Sequence, residues 1–172
     1  MRCVEDSPTI CNPQVSTDDR EQCRTLWREL TEWHRHIYGD PTIGGDQPED
    51  QFDNHLAEVG PQRLWVATCN AHVVGLVGLI KRNQEAEMEP LIVSEAHRRQ
   101  GLGAQLTRTV ISIARTLNVR MLSVRPVARN VQAIQFFHEQ GFVTLGHIEL
   151  FLDFSKSRWN LGPQLFDCEF TI

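Results

Sequence analysis

The chain's pattern predicts a mixed α/β domain: a central, mostly antiparallel sheet with helices on both faces. Three observations carry this. Apolar residues recur at helical spacing up to about Val59, alternate with period two from Arg63 to Val93, and return to helical spacing after Gly103. A glycine-flexed basic corner, VSEAHRRQGLGAQL at 93–106, sits where the strand period gives way to the helix period. The 172 residues, 41% hydrophobic and 23% charged, are enough to bury one core and have the composition of an ordinary soluble protein. One domain over 1–172 is the simplest division: helices over 17–60, a core over 63–154 and an irregular tail over 155–172.

Each element has its local reason. In 17–37, Cys23, Leu26, Trp27, Leu30, Trp33 and Ile37 fall at three- and four-residue steps, and Thr17, Asp18 and Asp19 supply a capping start. YGDPTIGGDQPED then reads as a loop, and a short helix follows over 49–59. RLWVATCNAHVVGLVGLI holds two β-rich runs around Cys69-Asn70-Ala71, a hairpin pattern, and EMEPLIV is a third strand. Leu102, Leu106, Val110, Ile113 and Leu117 mark one face of a helix, VRMLSV reads as a strand, and NVQAIQFFHEQGF as a helix begun near Asn130 and stopped at Gly141. TLGHIELFLDF alternates and predicts one or two closing strands; SKSRWNLGPQLFDCEFTI gives no regular pattern.

Composition excludes several classes. No apolar run has membrane-spanning length, the longest being Val73–Ile80 with two glycines, and no secretory signal pattern opens the chain, so the expected location is the cytoplasm. Five scattered cysteines without a C-x-x-C pair suit reduced thiols better than disulfides or zinc. His34 and His36 lie two apart on a helix and no H-E-x-x-H occurs, so no metal site is expected. Net charge is −5, but 96–138 holds seven arginines and no acid, leaving −12 for the rest. A basic segment in an acidic chain points to a local anion rather than to nucleic acid, although a solvated face would also place arginines there.

The corner Arg98-Arg99-Gln100-Gly101-Leu102-Gly103-Ala104 offers an anion three things. Glycines let backbone N–H groups approach closely, a helix N-terminus points unsatisfied donors outward, and arginines add forked charge. The Walker loop is excluded because no Gly-Lys ends the run. The dinucleotide fingerprint is excluded because Leu106 stands at its third glycine and no acid lies at 121–124.

R-x-x-G-x-G-A after a β-strand resembles the acetyl-CoA pyrophosphate loop of the GNAT (GCN5-related N-acetyltransferase) superfamily. AEMEPLIV before the corner and RPVARNVQAIQFFHEQGF after it resemble the family's neighbouring motifs, and the resemblance covers roughly Arg63 to Phe154. It implies a sheet splayed at the cofactor site, with 17–60 as a substrate-side lid. It also implies that Leu91, Ile92 and Val93 pair with the pantetheine arm of acetyl-CoA, the Val93 N–H polarising the thioester. Arg98, Arg99, Gln100, Gly101, Leu102, Gly103 and Ala104 would then hold the pyrophosphate. Asn130, Ala133 and Phe137 belong to the second cofactor motif, with Asn130 equally readable as a helix cap.

Acyl transfer to an amine needs that amine neutral, although a free alkylammonium has a pKa of about 10. A carboxylate near the thioester answers this, and Glu87 and Glu89, two apart on one strand, share a face. Glu87 fits the resemblance better, while Glu89 is nearer the thioester end; a solvated strand edge is the plain alternative for both. The resemblance implies a tyrosine acid where Phe137 stands, and Phe137 has no proton to give. His147 and Glu149 alternate on a late strand and are candidates to face the acceptor, as are the acidic residues of 39–53. The implied activity is transfer of an acetyl group to a primary amine of a small molecule or peptide, with no nucleic-acid or membrane partner and a homodimer compatible with the late strands. A non-catalytic acyl-CoA-binding module on the same fold is the alternative.

Overall fold

The computed structural model describes residues 8–11, 17–154 and 159–172, with Thr17 and Asp18 described as backbone only. It divides into two compact units, Met1–Arg125 and Pro126–Ile172. The capping set read at Thr17 and Asp18 and the first tail residues, 155–158, lie outside the described side chains.

The first unit is a five-stranded sheet. In chain order it contains β1 (Thr9–Cys11), α1 (Thr17–Tyr38), α2 (Asp50–Val59), β2 (Leu64–Cys69), β3 (His72–Arg82), β4 (Glu85–Val93), α3 (Leu102–Thr116) and β5 (Met121–Ser123). The strands lie in the order β1-β2-β3-β4-β5, antiparallel except for β4 and β5. Asn70 and Ala71 turn β2 into β3 with φ of 50° and 63°, the primed geometry that suits the right-handed twist of a hairpin. β1 is an element that the sequence pattern did not single out.

Two neighbouring residues of β3 show how the helices are distributed. Leu76 packs with Ile92, Cys23, Leu26 and Phe52, so this face is covered by α1 and α2. Gly75 looks the other way, where a Cβ would lie 3.2 Å from the Leu106 side chain of α3. Helices therefore cover both faces, and β3 and β4 form the buried middle. The buried stripe of α3 is Leu102, Leu106, Thr107, Val110 and Ala114, close to the predicted face, and α1 buries Cys23 and Leu26 as its spacing requires.

α1 and α2 are tied by an ion-pair ladder. Arg20, Arg24 and Arg28, one helical turn apart, meet Asp53, Asp50 with Asp53, and Glu49. The Arg28 hydrogen bond holds the Glu49 carboxyl down to about 2. Three of the acidic residues considered for attracting an amine are thus paired with arginines of the neighbouring helix.

The second unit contains α4 (Val131–Glu139) and a two-stranded antiparallel sheet of β6 (Leu161–Leu165) and β7 (Cys168–Thr171). Here two expectations fail. No strand forms over 144–154, although the residues alternate, and the supposedly irregular tail forms a hairpin. Alternation records which side chains favour burial; a strand also needs backbone to pair with, and β6–β7 is the only ladder among this unit's described residues. Side chains organise the end of that segment instead: Trp159 Nε1 donates to Asp153 Oδ2 at 2.7 Å, and the Phe151 ring meets Trp159 edge-on at 5.3 Å. The hairpin was hidden by Gly162 and Pro163 within β6, tolerable because both strands are edges, and by Phe166-Asp167 at a turn usually marked by Asn-Gly.

Candidate active site on the fourth strand and its corner

Strand β4 changes character along its length. Its ladder with β5 covers only Glu85, Ala86 and Glu87, while its ladder with β3 continues to Val93. Beyond Glu87, β4 has therefore lost its partner on the β5 side of the sheet. The β3 ladder also shifts register: Val77 faces Leu91, but Leu79 faces Met88, so β4 carries an extra residue around Glu89-Pro90. Gly78 stands opposite, and a Cβ there would lie 2.3 Å from the Glu89 carbonyl oxygen. The backbones approach so closely that only glycine fits.

The bulge sets which way each residue points. Ile92 lies opposite Leu76 and Glu87 opposite Ile80, so both share the face covered by α1 and α2 despite an odd separation in sequence. Ser94 donates its N–H to Val74 at 2.9 Å, and alternation then turns Ile92 toward β3 as well. Leu91 and Val93 present their N–H and C=O groups to the opposite edge, where β5 has ended. Arg98 agrees with this orientation, since its Nε donates to the Val93 carbonyl at 3.0 Å. The backbone edge anticipated for Leu91, Ile92 and Val93 thus resolves into Leu91 and Val93, with Ile92 committed to the ladder and 2% exposed.

Glu87 is the buried acid, its side chain 9% exposed, and Arg125 Nε lies 3.2 Å from its Oε1. Burial raises the Glu87 carboxyl above the usual carboxylate range, Arg125 pulls it down, and Glu89 pushes it up. The side chain of Glu89 is exposed. Two residues that look equivalent in sequence therefore differ: one is a desolvated base candidate and the other a surface carboxylate that biases it.

At the corner, Arg99 and Gly101 have φ of 60° and 81°. Left-handed residues in close succession curl a backbone into an anion-binding concavity. Gly101 is the N-cap of α3, and no side chain caps the helix. The first intrahelical bond is Gln105 N–H to Gly101 at 3.1 Å, so Leu102, Gly103 and Ala104 keep first-turn N–H groups without intrahelical partners. Arg99 and Gln100 are exposed, and Gln100 Nε2 donates to Ala96 at 3.0 Å. Arg98 is more constrained, because its guanidinium also lies over the Trp33 ring of α1, 5.7 Å from the centroid. This residue links the end of β4 to α1. These donors suit a diphosphate, by their own arrangement.

Asn130, Ala133 and Phe137 are in the second unit. Asn130 caps α4, its Oδ1 accepting from Ala133 N–H at 3.1 Å. Phe137 packs its ring between Phe136 and Phe142, at 5.3 and 5.8 Å. His147 and Glu149 are exposed on the segment that forms no strand. No disulfide joins Cys11, Cys23, Cys69 and Cys168, and burial pushes the Cys23 thiol up to about 12, away from nucleophile chemistry. Among the described residues, no three of His, Cys, Asp and Glu cluster as metal ligands, and no helix is long and apolar enough to cross a membrane. Sequence reasoning gave no place at the site to His55 or Gly78, and read Trp33 only as part of a helix face and Arg125 only as part of a basic segment. Gly78, a glycine inside an apolar strand, did carry a signal of close backbone approach.

The family model described as the Acetyltransferase (GNAT) family matches residues 27–142. The chain belongs to this family. Among similar proteins is a spermidine N(1)-acetyltransferase of Vibrio cholerae serotype O1, 25% identical over 115 residues that cover 64% of this chain and 66% of that protein. The chain thus spans just under two thirds of the length of that relative. A GNAT-family acetyltransferase structure from Staphylococcus aureus Mu50 superposes with a TM-score of 0.65 at 20% identity, covering 87% of this chain and 93% of the other. The N-acetylglutamate synthase of Neisseria gonorrhoeae, solved with coenzyme A and N-acetyl-glutamate, gives 0.61 at 21% identity over 83% of this chain and 30% of that one. These two structural likenesses establish the GNAT fold.

Proposed function

We propose that this GNAT chain is an N-acetyltransferase that moves the acetyl group of acetyl-CoA to a primary amine of a small molecule or peptide. One observation carries the reading. A single strand, β4, presents a desolvated carboxylate at Glu87 on one side of its bulge and a backbone edge at Leu91 and Val93 on the other, leading into the uncapped N-terminus of α3.

Acetyl-CoA supplies the activated acyl group, and the chain's residues divide the rest. First-turn N–H groups of Leu102, Gly103 and Ala104, with Arg99, hold the diphosphate. Leu91 bonds the pantetheine arm as an added strand would, and the Val93 N–H is the donor for the thioester carbonyl, while the Val93 C=O is held by Arg98. Glu87 takes a proton from the acceptor ammonium, directly or through water, so that the amine attacks with its lone pair. The carbon–sulfur bond breaks as the carbon–nitrogen bond forms, and the nitrogen's second proton passes to solvent, which returns one to the departing thiolate. Phe137 donates nothing, and a thiolate is weakly basic enough to leave and be protonated by water.

The test is thiol release from acetyl-CoA across an amine panel headed by spermidine, chosen because a relative carries that name. Turnover with at least one amine, abolished in Glu87→Gln while calorimetry still detects acetyl-CoA binding, is the expected result. Binding without turnover on any amine favours the non-catalytic module, and no binding removes the reading altogether.

A further inference from the structure

His55 has no part in the chemistry above, yet it is bonded to the hinge of β4. It is buried on α2, and its Nε2 lies 3.0 Å from the Glu89 carbonyl oxygen. A carbonyl only accepts, so Nε2 carries the hydrogen. The ring packs on Trp27 of α1, centroids 5.1 Å apart and planes 41° apart, which restricts its direction. Burial lowers the imidazole pKa from its usual value and favours the neutral ring.

The Glu89 carbonyl lies inside the bulge, where the β3 register jumps from Val77–Leu91 to Leu79–Met88. Gly78 makes the bond accessible: a Cβ there would stand 2.3 Å from the Glu89 oxygen and 3.3 Å from His55 Nε2. Glycine on β3, a carbonyl on β4 and an imidazole on α2 thus meet at one point.

We propose that His55 is a positioning residue: by donating to the Glu89 carbonyl it pins the bulge, and so the phase that puts Glu87 on the lid face and turns Leu91 and Val93 to the open edge. A bulge moved by one residue reverses the pointing of every residue between its old and new positions. Without His55 the Glu89 carbonyl is a part-buried acceptor lacking this donor, and a shifted register regains the loss. The structural part stands on geometry alone, while the consequence for acetyl-CoA rests on the proposed function.

The test is residue-resolved amide hydrogen exchange on the ligand-free wild type, His55→Gln and His55→Phe, with melting curves and acetyl-CoA calorimetry alongside. His55→Phe keeps a ring against Trp27 but has no donor, and His55→Gln keeps a donor. We expect His55→Phe to lose about tenfold protection at Ile92 and Ser94, with Val66 and Val110 unchanged and His55→Gln close to wild type, in line with one lost hydrogen bond. Acetyl-CoA affinity should fall about tenfold in His55→Phe and stay within about threefold in His55→Gln, by the same count. Unchanged protection, an equal fall at Val66 and Val110, or a glutamine no better than phenylalanine overturns the proposal. If His55→Phe gives no cooperative melt, His55→Asn, with an amide too short to reach, replaces it. Wild-type protein that fails to bind acetyl-CoA defeats the proposed function, and the exchange data still decide the role of His55.

Discussion

The two halves of β4 belong to one strand of nine residues and offer opposite environments. Glu85–Glu87 is paired on both sides, by β3 and β5, and its inward carboxylate is desolvated. Leu91–Val93 is paired by β3 alone, and its outward main chain lies off the sheet, with the Val93 carbonyl accepting from Arg98 Nε. The first half modifies a side chain; the second withholds a backbone edge from the sheet. The bulge at Glu89-Pro90 lets these coexist, because it changes the phase between the Glu87 side chain and the backbone edge of Leu91 and Val93.

The largest effect should come from removing the proposed base. Glu87→Gln should lower kcat by about 10²–10⁴-fold, the usual contribution of a positioned base, and leave acetyl-CoA affinity within about twofold. Equal losses in turnover and affinity would merge the two halves into one binding surface.

Gly78→Ala attacks the boundary between the halves. The added Cβ meets a backbone carbonyl at 2.3 Å, which cannot rotate away as a side chain could. Stability should fall by about 1–3 kcal/mol, read as Tm, with weaker acetyl-CoA binding. Gly101→Ala probes the corner differently. Nothing lies within 4 Å of its Cβ position, so the cost is purely the left-handed φ of 81°, about 1 kcal/mol. Acetyl-CoA binding should weaken with turnover at saturation retained.

The smallest effects are displacements of the pH profile. A base at Glu87 would work ionised, so kcat/KM should fall as pH drops through its pKa, with burial moving that acid limb above the ordinary carboxylate range. Arg125→Gln removes a cation that favours the ionised form and should move the limb to higher pH. Glu89→Gln removes a like charge and should move it to lower pH. Both shifts should be modest, because the Arg125 side chain is 70% exposed and Glu89 is exposed too. Limbs moving in the same direction would contradict this assignment of the base. The stability sign is separate: a carboxyl raised on folding favours the fold at low pH, and that contribution disappears as pH rises through its pKa.

Local periodicity and turn chemistry by themselves determined α1 through α4, the β2–β3 hairpin, β4 and the corner, because each depends on which neighbouring side chains share a face or which φ a turn requires. The corner's left-handed turn and uncapped helix start were equally local, being built from consecutive residues 98–104. Tertiary structure alone separated Glu87 from Glu89, since their difference arises from β5 ending after Ser123 and from Arg125 reaching across. It alone revealed that α2 grips the Glu89 carbonyl through His55, a bond spanning 34 residues of sequence. It also decided that 144–154 forms no strand while 161–171 does. A pattern along the chain encodes a preference for one face; pairing, burial and electrostatic bias depend on what lies across the gap, and no local spacing specifies that.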